Sequence, residues 1–236
     1  MSQNRRIGLA PAASAPAGSR PLTWATGAYA VVYVALVFGL PSIVDLPPLL
    51  ATWLTPIVYV ALAVAGLWVF RSTFRESWRE TRSRPWAALA VVGAGVVAVL
   101  LGDAGSFWVA SAVGSTAPVA NEEAVDAAIA ALPPVVILSV IVLVGPLVEE
   151  LVYREILLSR LRRWIPSVLG VIVSAVVFGL IHLSTLQELP AGLPYVTSGF
   201  VLAAAFVLSR RNILASLGIH LTANGLALAG VAIPVG

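Results

Sequence analysis

An apolar run that begins near Leu132 carries Glu149, Glu150 and Arg154 in its interior, and this constrains the fold of the chain more than any other stretch. Ionised groups in such a run cost ~2.5–3.5 kcal/mol each on insertion into a membrane, and they usually mark function. The arrangement is ordered. Glu150 and Arg154 are four residues apart with the acid N-terminal, the favourable sense for an ion pair along one helical face. Glu149 lies about 100° round the same helix and has no local partner. The rest of the chain must therefore supply what Glu149 faces.

Composition sets the solvent in which that question is posed. Of 236 residues, 59% are hydrophobic and only 11% charged, and the mean hydropathy is +0.97. Such a chain is all-α and polytopic, a transmembrane helical bundle rather than a nucleic-acid binder, and its net charge of +3 follows topology. No cysteine is present, which excludes a thiol nucleophile, disulfides and thiolate metal sites.

About seven spans are expected, at 22–44, 49–70, 86–101 (extending to 113 if Gly102-Asp103 is helical), 132–163, 167–183, 191–208 and 213–231. Residues 1–21 read as a disordered cytoplasmic tail, because Pro11 and Pro16 leave no signal-peptide apolar segment after Arg5-Arg6. Residues 22–236 read as a single transmembrane domain. The linker 71–84 is amphipathic through Phe74 and Trp78 and is expected at the membrane interface. The fourth span is too long to cross upright, and Gly145-Pro146 offers a kink just before the acids. All arginine clusters, 5–20, 71–84, 160–163 and 210–211, fall on one side if the N-terminus is cytoplasmic. Asp45, Glu122, Glu123, Asp126 and Glu188 fall on the other, and the C-terminus is then outside.

The two histidines, His182 and His220, are both expected within spans. Phe178 precedes His182 by four residues, and Asn224 follows His220 by four, so each pair shares a helical face. Counting from the basic ends at 1.5 Å per residue puts Glu149 about 17 Å deep, His182 about 24 Å, His220 about 13 Å and Asn224 about 20 Å. Three helices thus deliver polar groups to the middle of a core about 30 Å thick. Each has a plain reading: a buried pair for Glu150 and Arg154, a packed histidine for His182, interhelical glue for Asn224. Their common depth favours a mid-membrane polar site. A glutamate and a histidine can position and deprotonate a water, while a second histidine and an asparagine can donate to a developing oxyanion. Ser174, Ser184 and Ser216 lack a Gly-x-Ser-x-Gly context, and there is no His-Glu-x-x-His motif. A metal held by Glu149, His182 and His220 is compatible with the same residues; no other cofactor is implied.

Glu-Glu-x-x-x-Arg at 149–154, Phe-x-x-x-His at 178–182 and His-x-x-x-Asn at 220–224 resemble, in order and spacing, the three motifs of the CPBP family. These are the CAAX proteases and bacteriocin-processing enzymes, also called the ABI family of intramembrane glutamic endopeptidases. The resemblance covers roughly residues 132–232. It implies a helical membrane fold with a conical cavity, Glu149 as the base that activates water, His182 holding that water, and His220 with Asn224 as the oxyanion hole. Glu150, Arg154 and Phe178 would support the site. Glu155 departs from the family, which commonly has glycine after the motif arginine. The partners implied are membrane lipid and a peptide or protein substrate, with no nucleic acid. A chain without lysine and with a Pro-Ala-rich tail looks prokaryotic, which favours peptide processing or bacteriocin immunity over prenylated substrates. The alternatives are a non-enzymatic scaffold or immunity protein, and a proton-coupled transporter, against which the chain shows no repeated halves.

Overall fold

The computed structural model describes residues 23–39, 47–115 and 119–230, with the side chains of 48, 49 and 51 left out. The expected tail at 1–21, the turn around Pro41 and Asp45, and the last residues of the seventh span lie outside the described residues. Among the described residues there is no sheet, and nine helices follow one another. They are α1 (Trp24–Gly39), α2 (Pro48–Val69), α3 (Arg71–Ser83), α4 (Pro85–Ala112), α5 (Ala120–Ala131), α6 (Pro134–Leu161), α7 (Ser167–Leu180), α8 (Leu193–Leu208) and α9 (Ile213–Leu228).

Within the described residues each apolar stretch expected to span contains a helix, but their lengths differ. Helices α2, α4 and α6 are long and apolar enough to cross a membrane, with α4 and α6 each 28 residues long. Helices α1, α7, α8 and α9 are apolar but shorter. At 14 to 16 residues, α7 to α9 rise only about 21–24 Å, less than the ~30 Å of hydrocarbon. Large apolar side chains remain exposed on the outer faces of the bundle, among them Ile57, Val64, Leu101, Leu143, Val168 and Phe200. A surface of this kind is matched by lipid, and the chain is a multi-pass membrane protein.

Helix α6 is the axis of the core. Val148, Leu151 and Leu158 are fully buried, and Tyr153 nearly so, against Tyr29 and Tyr33 of α1, Leu62 of α2, Phe178 of α7 and Phe206 of α8. A second cluster joins α4, α8 and α9 through Val99, Leu202, Ala205 and Ile219. Helix α6 is not the plain kinked helix expected from Gly145-Pro146. Two stretches, Ser139–Val144 and Glu150–Leu158, are π-helical. There Gly145 N–H reaches Val140 O and Ser159 N–H reaches Arg154 O, each five residues back. Such widened turns frequently accompany functional sites.

The linker 71–84 forms an amphipathic helix, but the face that docks on the bundle is its hydroxyl face. Thr73 and Ser77 are buried. Ser77 Oγ accepts the N–H of Ile213, and Thr81 Oγ1 accepts from Asn212 Nδ2. Trp78 stays exposed. At this end Arg210 and Arg211 occupy the left-handed region, with φ of 61° and 64°, a conformation uncommon for residues other than glycine. Arg211 is held there against Glu155 at 3.7 Å and Ser159 at 2.9 Å. Glu155 is thus a buried partner of the basic end, also reached by the Thr73 hydroxyl at 3.4 Å.

At the opposite end α5 is tied across the bundle. The carboxylate of Glu188, in the turn between α7 and α8, accepts N–H bonds from Ala120, Ser184 and Thr185 and a hydroxyl bond from Thr185. Asn121 Nδ2 donates to the Tyr195 hydroxyl at 3.1 Å. These two ties hold α5 where Asn121, Val125 and Ile129 line the central cavity.

Close helix approach sets the register of α7 against α8. A Cβ on Gly179 would overlap Val196 Cγ2 and lie 3.0 and 3.1 Å from the Val196 backbone N and Cα. Gly179→Ala is expected to lower stability by about 1–3 kcal/mol, read as a fall in unfolding temperature in detergent. The Glu188 ties generate a pH dependence. The Ala120 N–H bond, joined by those from Ser184 and Thr185, holds the Glu188 pKa below the ordinary glutamate value against the opposing effect of burial. A depressed folded pKa adds stability above the unfolded value of about 4.3, and that stability is lost as pH falls through the folded value. Hydrogen exchange at the start of α5 should therefore accelerate over that acid range, and in Glu188→Gln it should be fast throughout and lose this step.

Candidate active site

Helix α6 presents two adjacent acids to different surroundings. The Glu150 side chain is fully buried, as is that of Arg154, and the two approach at 3.5 Å between Oε2 and Nε. The pair expected from the i, i+4 spacing is therefore present. Arg154 Nη1 donates to Ser174 Oγ at 3.2 Å, and the Ser174 hydroxyl donates to Tyr153 O at 3.0 Å. The guanidinium carbon lies 4.8 Å from the Phe178 ring centroid, a cation–π distance. Phe178 thus covers Arg154 on the cavity side.

The pair continues through a histidine. His220 Nδ1 donates to Glu150 Oε1 at 3.2 Å, and His220 Nε2 stands 3.6 Å from Glu149 Oε2. One imidazole therefore bridges the two neighbouring carboxylates, one fully buried and the other 14% exposed. The partner of Glu149 is His220, and no hydrogen bond joins Glu149 to His182 among the described residues.

His182 lies just beyond the end of α7, not within a span. Its Nδ1–H donates to Phe178 O at 2.7 Å, satisfying a carbonyl that the end of the helix leaves open. That bond assigns the neutral tautomer and leaves Nε2 as an acceptor. The ring stacks on Tyr195 with centroids 4.4 Å apart and planes 11° from parallel, while Phe178 packs against its other side at 4.8 Å. The ring is clamped in one orientation.

Asn224 has a backbone task. Its Nδ2 donates to Ile141 O at 3.0 Å. In the π-helical register Ile141 O would take the N–H of residue 146, which is proline and has none. Asn224 satisfies the carbonyl that Pro146 orphans, so α9 braces the turn immediately before Glu149. One amide hydrogen of Asn224 stays uncommitted.

Glu149, His182, His220, Asn224 and Phe178 all line one cavity of about 620 Å³, together with Tyr59, Asp103, Glu122, Asp126 and Tyr195. The sequence places the four polar groups at a common depth, and the structure brings them around one space. Ser174, Ser184 and Ser216 do not line it. Among the described residues no three His, Asp or Glu groups are arranged to hold a metal. Sequence reasoning missed Tyr195, Asn121, Tyr59 and Asp103. Asp103 alone carried a signal, as a lone acid within an apolar stretch.

In such a cavity a carboxylate and a bare imidazole nitrogen are both acceptors for a water, and the remaining N–H groups are donors for an oxygen that gains charge. Residues 131–226 match a family model described as Type II CAAX prenyl endopeptidase Rce1-like. No curated protein and no solved structure matches the chain. The matched segment runs from the end of α5 to near the end of α9 and contains all three motifs, and over these residues, under half of the chain, the protein is similar to the Rce1-like CAAX endopeptidases of the CPBP/ABI group.

Proposed function

We propose that the protein is an intramembrane endopeptidase that hydrolyses a peptide bond with water activated by Glu149. The observation that carries this reading is the opening of Glu149, on α6, and His182, in the turn after α7, onto one cavity. Seven crossings, with the arginine-rich end cytoplasmic, are the topology that goes with it.

The geometry gives each group a task. The two hydrogens of the attacking water are taken by the Glu149 carboxylate and His182 Nε2, which leaves an oxygen lone pair for the carbonyl carbon. As the C–O bond forms, Glu149 takes the proton and the carbonyl electrons move to oxygen. His220, its ring fixed by the Nδ1–H bond to Glu150, faces that oxyanion with its Nε2 edge as the first donor. The free amide hydrogen of Asn224 is the second donor. Glu149 then returns its proton to the leaving amine as the C–N bond breaks, releasing an amine and a carboxylic acid that keeps the water's other hydrogen. A scaffold would account for Glu150, Arg154 and Asn224, which are engaged with protein. It gives no reason for an acid opening onto a cavity.

Glu149→Gln should abolish cleavage of a membrane substrate, and His182→Ala should lower kcat by about 10²–10⁴-fold, with both proteins inserted and folded as wild type. Cleavage by Glu149→Gln at the wild-type rate would sink the mechanism. Asn224→Ala should be less stable by about 1–3 kcal/mol, because Ile141 O loses its partner. If its unfolding temperature equals that of wild type, the bracing of the Pro146 turn is wrong.

A further inference from the structure

Of the groups around the proposed attacking water, Glu149 and His220 sit on helices, α6 and α9, whose backbones fix them. His182 does not. Helix α7 ends at Leu180, and His182 follows in the turn that leads to α8. Among the described residues its side chain makes one hydrogen bond, from Nδ1–H to Phe178 O at 2.7 Å. A single bond of this kind acts as a hinge, because the torsion about Cβ–Cγ of an imidazole is soft.

What holds the plane of that ring comes from other segments. Tyr195, in the first turn of α8, lies against the imidazole at 4.4 Å with 11° between the planes, and Phe178 packs at 4.8 Å, tilted by 53°. Turning the imidazole about Cβ–Cγ would drive its edge into one of these rings. Tyr195 is itself tied at its far end, where the hydroxyl accepts from Asn121 Nδ2 of α5 at 3.1 Å. Its backbone is set by the close approach of α7 to α8 at Gly179, where a Cβ would overlap Val196, the next residue after Tyr195. Glu188 joins the same two segments, accepting from Ser184 and Thr185 just after His182 and from Ala120 of α5. Asn121, His182 and Tyr195 all line the one cavity.

We propose that Tyr195 is a positioning residue for His182: its ring, anchored through the hydroxyl by Asn121 of α5, holds the imidazole in the plane in which Nδ1–H meets Phe178 O and Nε2 faces the cavity. For its consequence in catalysis the proposal rests on the endopeptidase reading, in which Nε2 accepts a hydrogen of the attacking water. Were the ring to turn, the Nδ1–H bond would break, both neutral tautomers would be populated, and the acceptor would be withdrawn from the water for part of the time. Helix α5, which precedes all three motifs, then belongs to the site through a residue that acts on His182 by way of Tyr195.

The chain has two histidines, so magic-angle-spinning NMR of the full 15N-histidine-labelled protein in lipid bilayers reads His182 with His220 as an internal reference. Wild-type His182 is expected to show a protonated Nδ1 and a bare Nε2. In Tyr195→Leu, which stays apolar and loses the flat face, the two nitrogens should move toward a common averaged shift while those of His220 stay in place. Tyr195→Phe and Asn121→Ala each keep the face and remove the anchor, so each should broaden the His182 signals without averaging them, and the two together should do no more than either alone. With a quenched-fluorescent prenylated CAAX peptide, kcat of Tyr195→Leu should fall by about 10²-fold with KM little changed. In His182→Ala protein the same substitution should cost less than about twofold, because no imidazole is left to position. Unchanged His182 signals in Tyr195→Leu, equal disturbance of His220, or the same loss of kcat in both backgrounds overturns the proposal. Unchanged signals in both Tyr195→Phe and Asn121→Ala overturn the anchoring by α5, and these two variants carry the test if Tyr195→Leu does not fold. If wild type cuts no peptide in a Glu149-dependent way, the endopeptidase reading fails, and the nitrogen signals still decide whether Tyr195 positions the ring.

Discussion

The chain of charge from Arg154 through Glu150 to His220 is the contact on which the rest of the site depends. Burying either ion alone would cost several kcal/mol, and removing one member of a buried pair typically costs about 3–5 kcal/mol. Here both side chains are fully buried, so each is needed to keep the other. Ser174 and Phe178 of α7 give Arg154 a hydrogen bond and a ring face, and His220 of α9 gives Glu150 a hydrogen bond. Three helices that share no local sequence are thereby locked at one depth by a single set of polar contacts. In lipid, where apolar packing gives helices little reason to choose one partner over another, such contacts supply the register.

A second device acts one turn earlier on α6. A proline in a helix interior removes a hydrogen bond and usually breaks the helix. Here the missing donor is replaced from another helix by Asn224, and the widened turns on either side absorb the misfit. The result places Glu149 at the start of a π-helical stretch, where the ladder shifts to bonds five residues long. Glu150 points into the core and Glu149 toward the cavity, although they are adjacent in sequence.

Much of this was legible in the residues. The Glu150–Arg154 pair followed from spacing and polarity order. The convergence of Glu149, His182, His220 and Asn224 followed from counting residues inward from the arginine clusters. What could not be read depends on approach between distant segments. The bridge from His220 to both acids needs the rotation of α9 about its axis, which no periodicity records. The stacking of Tyr195 on His182 needs the tight turn after α7, and the segment 167–183 showed only an apolar run that did not reveal its end at Leu180. The stretch 114–131, with its acids and no basic residue, read only as a connection between spans, and the ties at Ala120 and Asn121 that fix α5 come from Glu188 and Tyr195, far away in sequence. Glu155 read as a departure near the site, and its partners are Thr73 and Arg211 at the basic end.

The bridging imidazole also decides how two adjacent carboxylates can serve different ends. Glu150 is neutralised from one side by Arg154 and accepts the Nδ1 proton from the other, so it has no reason to take a proton during a reaction. Glu149 has one imidazole edge beside it and a cavity before it. On the proposed mechanism, transfer of the water proton to Glu149 removes the negative charge beside His220 while an oxyanion gains one nearby. His220 then exchanges one anionic neighbour for another at nearly constant local charge. Electrostatic preorganisation of this kind needs no movement of the protein at the moment of reaction. It does need His220 to be fixed before substrate arrives, and the buried pair beneath it does that.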